Sequence, residues 1–224
     1  MIEIIKKTSD YVIVYKPAGI PSQPDLGGDK DAMTHCSEQL RSMGEVGNLF
    51  LIHRLDRVVG GLLVFARNKE SAATLSQLVA DHNIAKEYFA VAEGTLNGGL
   101  MKDYLYKDAT LSKAFVTDKK RAGAKLAELS YETIESVCNN GKQLSLVKVK
   151  LKTGRFHQIR AQFASRKNAL IGDKKYGSSD FKAKTPSLFA YKLSFCYKGE
   201  EINVTCLPDL EKYPWSLFEK EKYQ

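Results

Sequence analysis

Residues 146–152 read LVKVKLK. The alternation is strict, with Val147, Val149 and Leu151 on one side and Lys148, Lys150 and Lys152 on the other. A period of two fits a half-buried strand and does not fit a helix, whose apolar positions recur every three or four residues. Further strand-like runs are YVIVYKP, LFLIH, LLVFA, KEYFAVAEG, LAELSYETIESV, SLFAYKLSFCYKG and EINVTCLPD. Helical spacing occurs in only three places. Met33, Cys36, Leu40 and Met43 share a face between Asp31 and Met43. Asn68 is placed to cap a helix from Lys69 to about Asp81, with Ala72, Leu75, Leu78 and Val79 inward. TGRFHQIRAQFASR shows it again at Phe156, Ile159 and Phe163. Strands dominate and no βαβ repeat is visible. The reading is an α+β fold: a mixed, mostly antiparallel central sheet with flanking helices and loops. Residues 1–224 are expected to form a single domain.

The stretch from Thr95 to about Lys125 is poorly patterned and rich in lysine, and reads as hairpins and loops with a basic face. Trp215 and Phe218 are expected to pack the tail. The formal net charge of +8 favours a polyanionic partner, either nucleic acid or an anionic membrane surface. No apolar stretch approaches the ~20 residues of a membrane span. The start, MIEIIKKTSD, lacks a signal-peptide core, which points to an intracellular protein. Cys36, Cys138, Cys196 and Cys206 are scattered without metal-ligand or disulfide spacing and read as reduced, mostly buried thiols. The histidines lack metal-ligand spacing too.

Chemistry concentrates in LIHRLDRVVGG, residues 51–61, whose Gly60-Gly61 pair is expected to permit a tight turn. Asp56 lies among His53, Arg54 and Arg57, between two apolar segments. It is either a solvated ion pair or a site. A second cationic, glycine-punctuated group, TGRFHQIR, runs from Thr153 to Arg160. If the two groups meet, an arginine within ~4–6 Å would keep the acid ionised, and an ionised carboxylate serves as nucleophile or base. Tyr88 reads as core packing or as a flat ring for stacking a base. IGDKKYG, residues 171–177, reads as a turn. Phosphate-loop, dinucleotide-binding and nucleophile-elbow signatures are absent.

In order along the chain, YKPAGIPSQP, HRLD with GGLLVFARN, KEYFAVAEG, LKTGRFHQIRAQFA, IGDKKYG and SLFAYKLSF resemble the motifs of RluA-type pseudouridine synthases. They run from about Val12 to Pro208. Two departures stand out: Val59-Gly60 replaces the family's Thr-Ser, and Phe189 stands where the family has histidine. The resemblance implies the pseudouridine synthase fold and an isomerase acting on a uridine of ribosomal or transfer RNA in the cytoplasm. It further implies a monomer with no membrane attachment, and no room here for the small N-terminal S4 domain of many relatives. Asp56 would attack the ribose of a flipped-out uridine. Tyr88 would stack on the base and help remove the C5 proton. Arg160 would pair with Asp56, Arg54 would fill the gap left by the extruded nucleotide, and Ile159 would line the uracil pocket. His53, Arg155 and His157 would complete the substrate contacts. An isomerisation without net redox change calls for neither cofactor nor metal. The rival reading is a catalytically impaired RNA-binding protein that kept the fold, with Val59-Gly60 in its favour.

Overall fold

In a computed structural model, residues 2–25 and 27–223 are described. The chain forms two compact units. One comprises the chain through Ala85 together with Ala190–Cys206, the other Lys86–Phe189 and the residues from Leu207 onward.

The first unit contains β1 (Glu3–Lys7), β2 (Tyr11–Lys16), α1 (Ala32–Ser42), β3 (Phe50–Leu51), β4 (Gly60–Ala66) and α2 (Lys69–Ala80). It also holds most of β10 (Leu188–Tyr197) and all of β11 (Glu200–Thr205). Its strands run in the order β1-β2-β4-β10-β11. β2 and β4 are antiparallel, with Tyr11 opposite Ala66 and Lys16 opposite Gly61. Their apolar runs are continuous because both faces are covered. Val12, Val14, Leu63 and Phe65 pack with Ala32, Cys36 and Leu40 of α1. Tyr11, Ile13, Leu62 and Val64 pack with Leu75 of α2 and with Leu193 and Phe195. Both helix starts lie where the sequence puts them. Asp31 accepts from the Met33 and Thr34 amides (3.0 and 3.1 Å). Asn68 and Ser71 form a capping box.

Three expectations change here. LFLIH yields only the two-residue β3, half-buried, because the chain leaves the sheet after Leu51 to form the loop that carries Asp56. Gly60 and Gly61 do not make a turn; they begin β4. A Cβ on Gly61 would lie 2.3 Å from the Ala190 carbonyl oxygen, so the glycine is there for close strand approach. Of the four thiols only Cys36 is buried; Cys138 and Cys196 are exposed and Cys206 is intermediate.

The second unit contains β5 (Ala85–Glu93, all but its first residue), β6 (Gly99–Asp108), β7 (Lys113–Thr117), β8 (Lys125–Asn139), β9 (Lys142–Leu151) and α3 (Gln158–Ser165). The strand order is β5-β9-β8-β6-β7, antiparallel throughout. The basic stretch after Thr95 is therefore a regular strand pair, β6 and β7. α3 packs on one face. Phe163 meets Tyr131 edge-on (5.1 Å), and Ala161 joins Leu105, Ala114, Ala127 and Tyr176 in one apolar cluster. Tyr131 lies opposite Val149, which lies opposite Tyr88, so Tyr88 shares the α3 face. In the tail Phe218 and Tyr223 are buried, Trp215 is half-buried, and the Tyr223 hydroxyl donates to the Trp215 carbonyl (2.9 Å).

The sheet-dominated α+β class is as the sequence leads one to expect, with three α-helices among the described residues. No helix among those residues is long and apolar enough to cross a membrane.

Candidate active site

Asp56 lies in the loop between β3 and β4, and both of its neighbours are held by the segment after β2. The Leu55 amide donates to Ser22 Oγ (3.0 Å), and the Ser22 hydroxyl donates to the Leu55 carbonyl (2.8 Å). On the other side, the Gly19 amide donates to the Arg57 carbonyl (2.7 Å), and Arg57 Nε donates to the Gly19 carbonyl (3.0 Å). The Val59 amide closes a turn onto the Asp56 carbonyl (3.0 Å), and the Val59 side chain is buried. Val59-Gly60 thus holds this loop by backbone and packing rather than by hydroxyls. Arg57 is an ion-pairing residue, bound to Asp29 and 3.7 Å from Asp25. Arg54 is exposed. His53 is half-buried, and its Nε2 accepts weakly from the Val64 amide (3.4 Å).

Under this loop lies Lys16, completely buried. Its ammonium donates to the carbonyls of Pro17 (3.0 Å), Ile20 (2.8 Å) and Arg57 (3.3 Å). Burial lowers its pKa from 10.5 to about 7, against the upward pull of the Asp56 charge. Sequence reading missed Lys16 because a lysine at a strand end looks like an exposed one. Its titration has a definite sign. Between about 7 and 10.5 the unfolded chain binds more protons at this position than the folded chain does. Stability contributed by Lys16 therefore rises with pH through that window, by up to about 1.4 kcal/mol per pH unit, and is least favourable below it. Urea unfolding of the wild type and Lys16→Met at pH 7 and pH 9 checks this. The stability difference is expected to shift toward the wild type at the higher pH; an unchanged or opposite shift would contradict the assignment.

In the second unit TGRFHQIR folds back on itself through Gln158. Its Oε1 accepts from the Thr153 hydroxyl (2.8 Å) and the Arg155 amide (3.0 Å), and its Nε2 donates to the Glu128 carbonyl (3.1 Å). Arg155 is exposed, with Nε donating to the Leu126 carbonyl (2.8 Å). His157 takes a left-handed backbone conformation (φ 51°) just ahead of α3. Ile159 and Arg160 follow, both buried. Arg160 Nε and Nη2 donate to the two carboxylate oxygens of Asp173 (2.7 and 2.9 Å), and Asp173 has no exposed surface. Tyr176, at the end of the same short turn, lies 5.1 Å from the Arg160 guanidinium. Its hydroxyl accepts from the Ala114 amide (2.8 Å) and shares a hydrogen bond with His157 Nδ1 (3.0 Å).

IGDKKYG is thus a turn, as read, but not merely one: Asp173 and Tyr176 hold Arg160 and His157. Tyr88 is buried in β5 on the face that also carries α3. The first unit groups His53, Arg54 and Asp56 in one clamped loop, and the second joins His157 and Arg160 to Tyr176 and Asp173, with Arg155 and Ile159 on the same short segment.

Residues 10–165 match the sequence profile of a family described as RNA pseudouridylate synthase. An uncharacterized RNA pseudouridine synthase of Haemophilus influenzae is 33% identical over 215 residues, covering 92% of this chain and 88% of that protein. Ribosomal large subunit pseudouridine synthase D of Zymomonas mobilis is 32% identical over 190 residues. That alignment covers 80% of this chain but only 56% of the relative's length. The solved structure of human RNA Pseudouridylate Synthase Domain Containing 1 aligns with a TM-score of 0.77 at 20% identity, covering 96% of this chain and 86% of that one. At that identity the likeness establishes the fold.

Proposed function

This chain belongs to the RNA pseudouridylate synthase family, and from that premise we propose that it isomerises a specific uridine of ribosomal or transfer RNA to pseudouridine. The observation that carries the reading is the clamped loop, in which Ser22, Gly19 and Lys16 hold the residues on either side of a half-buried aspartate. A carboxylate held in place meets the positioning requirement of a nucleophile.

The reaction runs on the chain's own side chains. The target nucleotide flips out of its stack at a cost of a few kcal/mol, because C1′ and C5 are out of reach inside a helix. Asp56 attacks the ribose, and the N-glycosidic bond breaks. The uracil, released as its N1 anion, turns, and C5 bonds to C1′ as the bond between Asp56 and the ribose breaks and the carboxylate is regenerated; N1 takes up a proton. Tyr88 stacks on the base and helps take the C5 proton, which leaves to solvent as the aromatic ring of the product is restored. Arg160, its plane fixed by Asp173, supplies the positive charge that favours the ionised form of the attacking acid. Arg54 occupies the gap left by the flipped base, where a guanidinium supplies stacking and a phosphate contact together. Ile159 walls the uracil, while His53, Arg155 and His157 contact the RNA. The enzyme acts as a monomer in the cytoplasm, and the isomerisation needs no cofactor.

The test is release of tritium from C5-labelled uridine in total RNA, with pseudouridine mapping of RNA from cells with and without the gene to identify the position. Release together with one lost modification supports the reading; no release from any natural RNA overturns it. Because lysine and arginine neutralise phosphates, affinity for substrate RNA is expected to fall about tenfold or more between roughly 50 and 200 mM salt. Filter binding across that range checks it, and a flat profile would contradict the electrostatic grip.

A further inference from the structure

The face of β6–β7 turned away from α3 carries an arrangement that the reaction does not use. Met101, Asp103 and Leu105 point toward the helix: Met101 and Leu105 are buried, and Asp103 binds Gln162 and Arg166. Strand alternation sends Tyr104 and Tyr106 to the opposite face. Phe115 lies directly across from Tyr106, and Thr117 across from Tyr104. Phe115 is 38% exposed and Leu100, on the same face of β6, is 84% exposed. Three aromatic rings thus sit side by side on an open antiparallel pair.

The loop after β7 brings cations onto these rings. The Arg121 guanidinium lies 3.7 Å from the centre of the Tyr106 ring, and the Lys119 ammonium 5.9 Å from that of Tyr104. Lys113 is 5.3 Å from the Phe115 ring. Residues 99–125 hold seven lysines and arginines against three aspartates. The acids are engaged locally. Asp103 faces the helix, Asp108 accepts from the Leu111 amide (2.9 Å), and Asp118 accepts from the Lys120 amide (2.7 Å). The net balance of residues 99–125 is positive, and Lys113, Lys119 and Arg121 lie over flat apolar rings.

We propose that this face is a second RNA-contact surface, on which unpaired bases stack against Tyr104, Tyr106 and Phe115 while Lys119, Lys120 and Arg121 neutralise the backbone. The occupant is single-stranded RNA. Charge complementarity selects a polyanion, and rings selecting for exposed base faces choose an unpaired strand over a duplex. The proposal rests on the RNA-modifying reading and extends it: this surface would grip a strand flanking the target and would not read the target uridine itself.

The test is fluorescence anisotropy of a labelled 12-nucleotide oligouridylate, with a duplex RNA of equal length as comparison. Tyr106→Ala and Arg121→Ala are each expected to weaken oligouridylate binding about tenfold. Duplex binding should change little for Tyr106→Ala, and Tyr106→Phe should bind as the wild type does, since the ring and not the hydroxyl stacks. Melting temperatures of all variants, measured alongside, confirm that they fold. Unchanged oligouridylate affinity in folded Tyr106→Ala and Arg121→Ala would overturn the proposal. So would equal losses on single strand and duplex for Tyr106→Ala. Binding is read without turnover, so a protein that binds through this face yet releases no tritium would sink the isomerase reading alone.

Discussion

Asp56→Asn is expected to abolish tritium release from C5-labelled uridine, by at least about 10³-fold, while leaving the protein folded and able to bind RNA. Removal of a nucleophile leaves only the residual rate that binding and surrounding dipoles can support. The substitution is nearly isosteric and replaces an anionic oxygen with an amide that does not attack carbon. The fold should tolerate it because the loop is held through its neighbours and by a backbone turn. Ser22 grips Leu55, Gly19 and Lys16 grip Arg57, and Val59 bonds the Asp56 carbonyl, not its carboxylate. Three readouts belong together: tritium release, thermal melting and filter binding to substrate RNA. Full turnover by a folded Asp56→Asn protein would remove the aspartate from the chemistry.

Asp173→Asn should act on stability first. The Arg160–Asp173 pair is bidentate, with Arg160 only 4% exposed and Asp173 not exposed at all. Taking away one charge of such a pair removes a buried, bidentate, charge-assisted contact, which costs about 3–5 kcal/mol. The urea midpoint should fall accordingly, with little change in the slope of the transition. The same physics predicts non-additivity. Once Asp173 is neutral, Arg160→Met no longer breaks the bidentate ion pair, so the double variant should lose less than the two single losses combined. Strict additivity would mean that the two groups do not act as a pair. Where Asp173→Asn remains folded in the cold, turnover should fall as well, because the plane of Arg160 is no longer fixed.

Several of these features were readable along the chain and others were not, for identifiable reasons. Helix starts depend on neighbours three residues away, so Asn68 announced α2, while the spacing of Met33, Cys36 and Leu40 announced α1. Strand periodicity is equally local, and β2, β4 and β9 lie where their patterns suggest. The two-residue β3 fell short because an apolar run of four does not say where the chain leaves its sheet. Asp173 escaped notice because a Gly-Asp pair reads as a turn, and nothing nearby indicates that its carboxylate is sealed against an arginine thirteen residues earlier. Lys16 is similar: its partners include the Arg57 carbonyl, forty-one residues on. Exposure of Cys138 and Cys196 follows from their positions near the ends of long hairpins, a property of tertiary arrangement.

The fastening on both sides of Asp56 bears on how target and catalyst divide the work of meeting. A side chain whose flanking peptides are stapled in place has little freedom to travel toward a partner. If Asp56 is the nucleophile proposed above, the nucleic acid would supply almost all of the rearrangement, arriving with its nucleotide already swung outward or easily persuaded to be. Discrimination between uridines would then reflect how readily each local strand deforms, as much as which letters surround it.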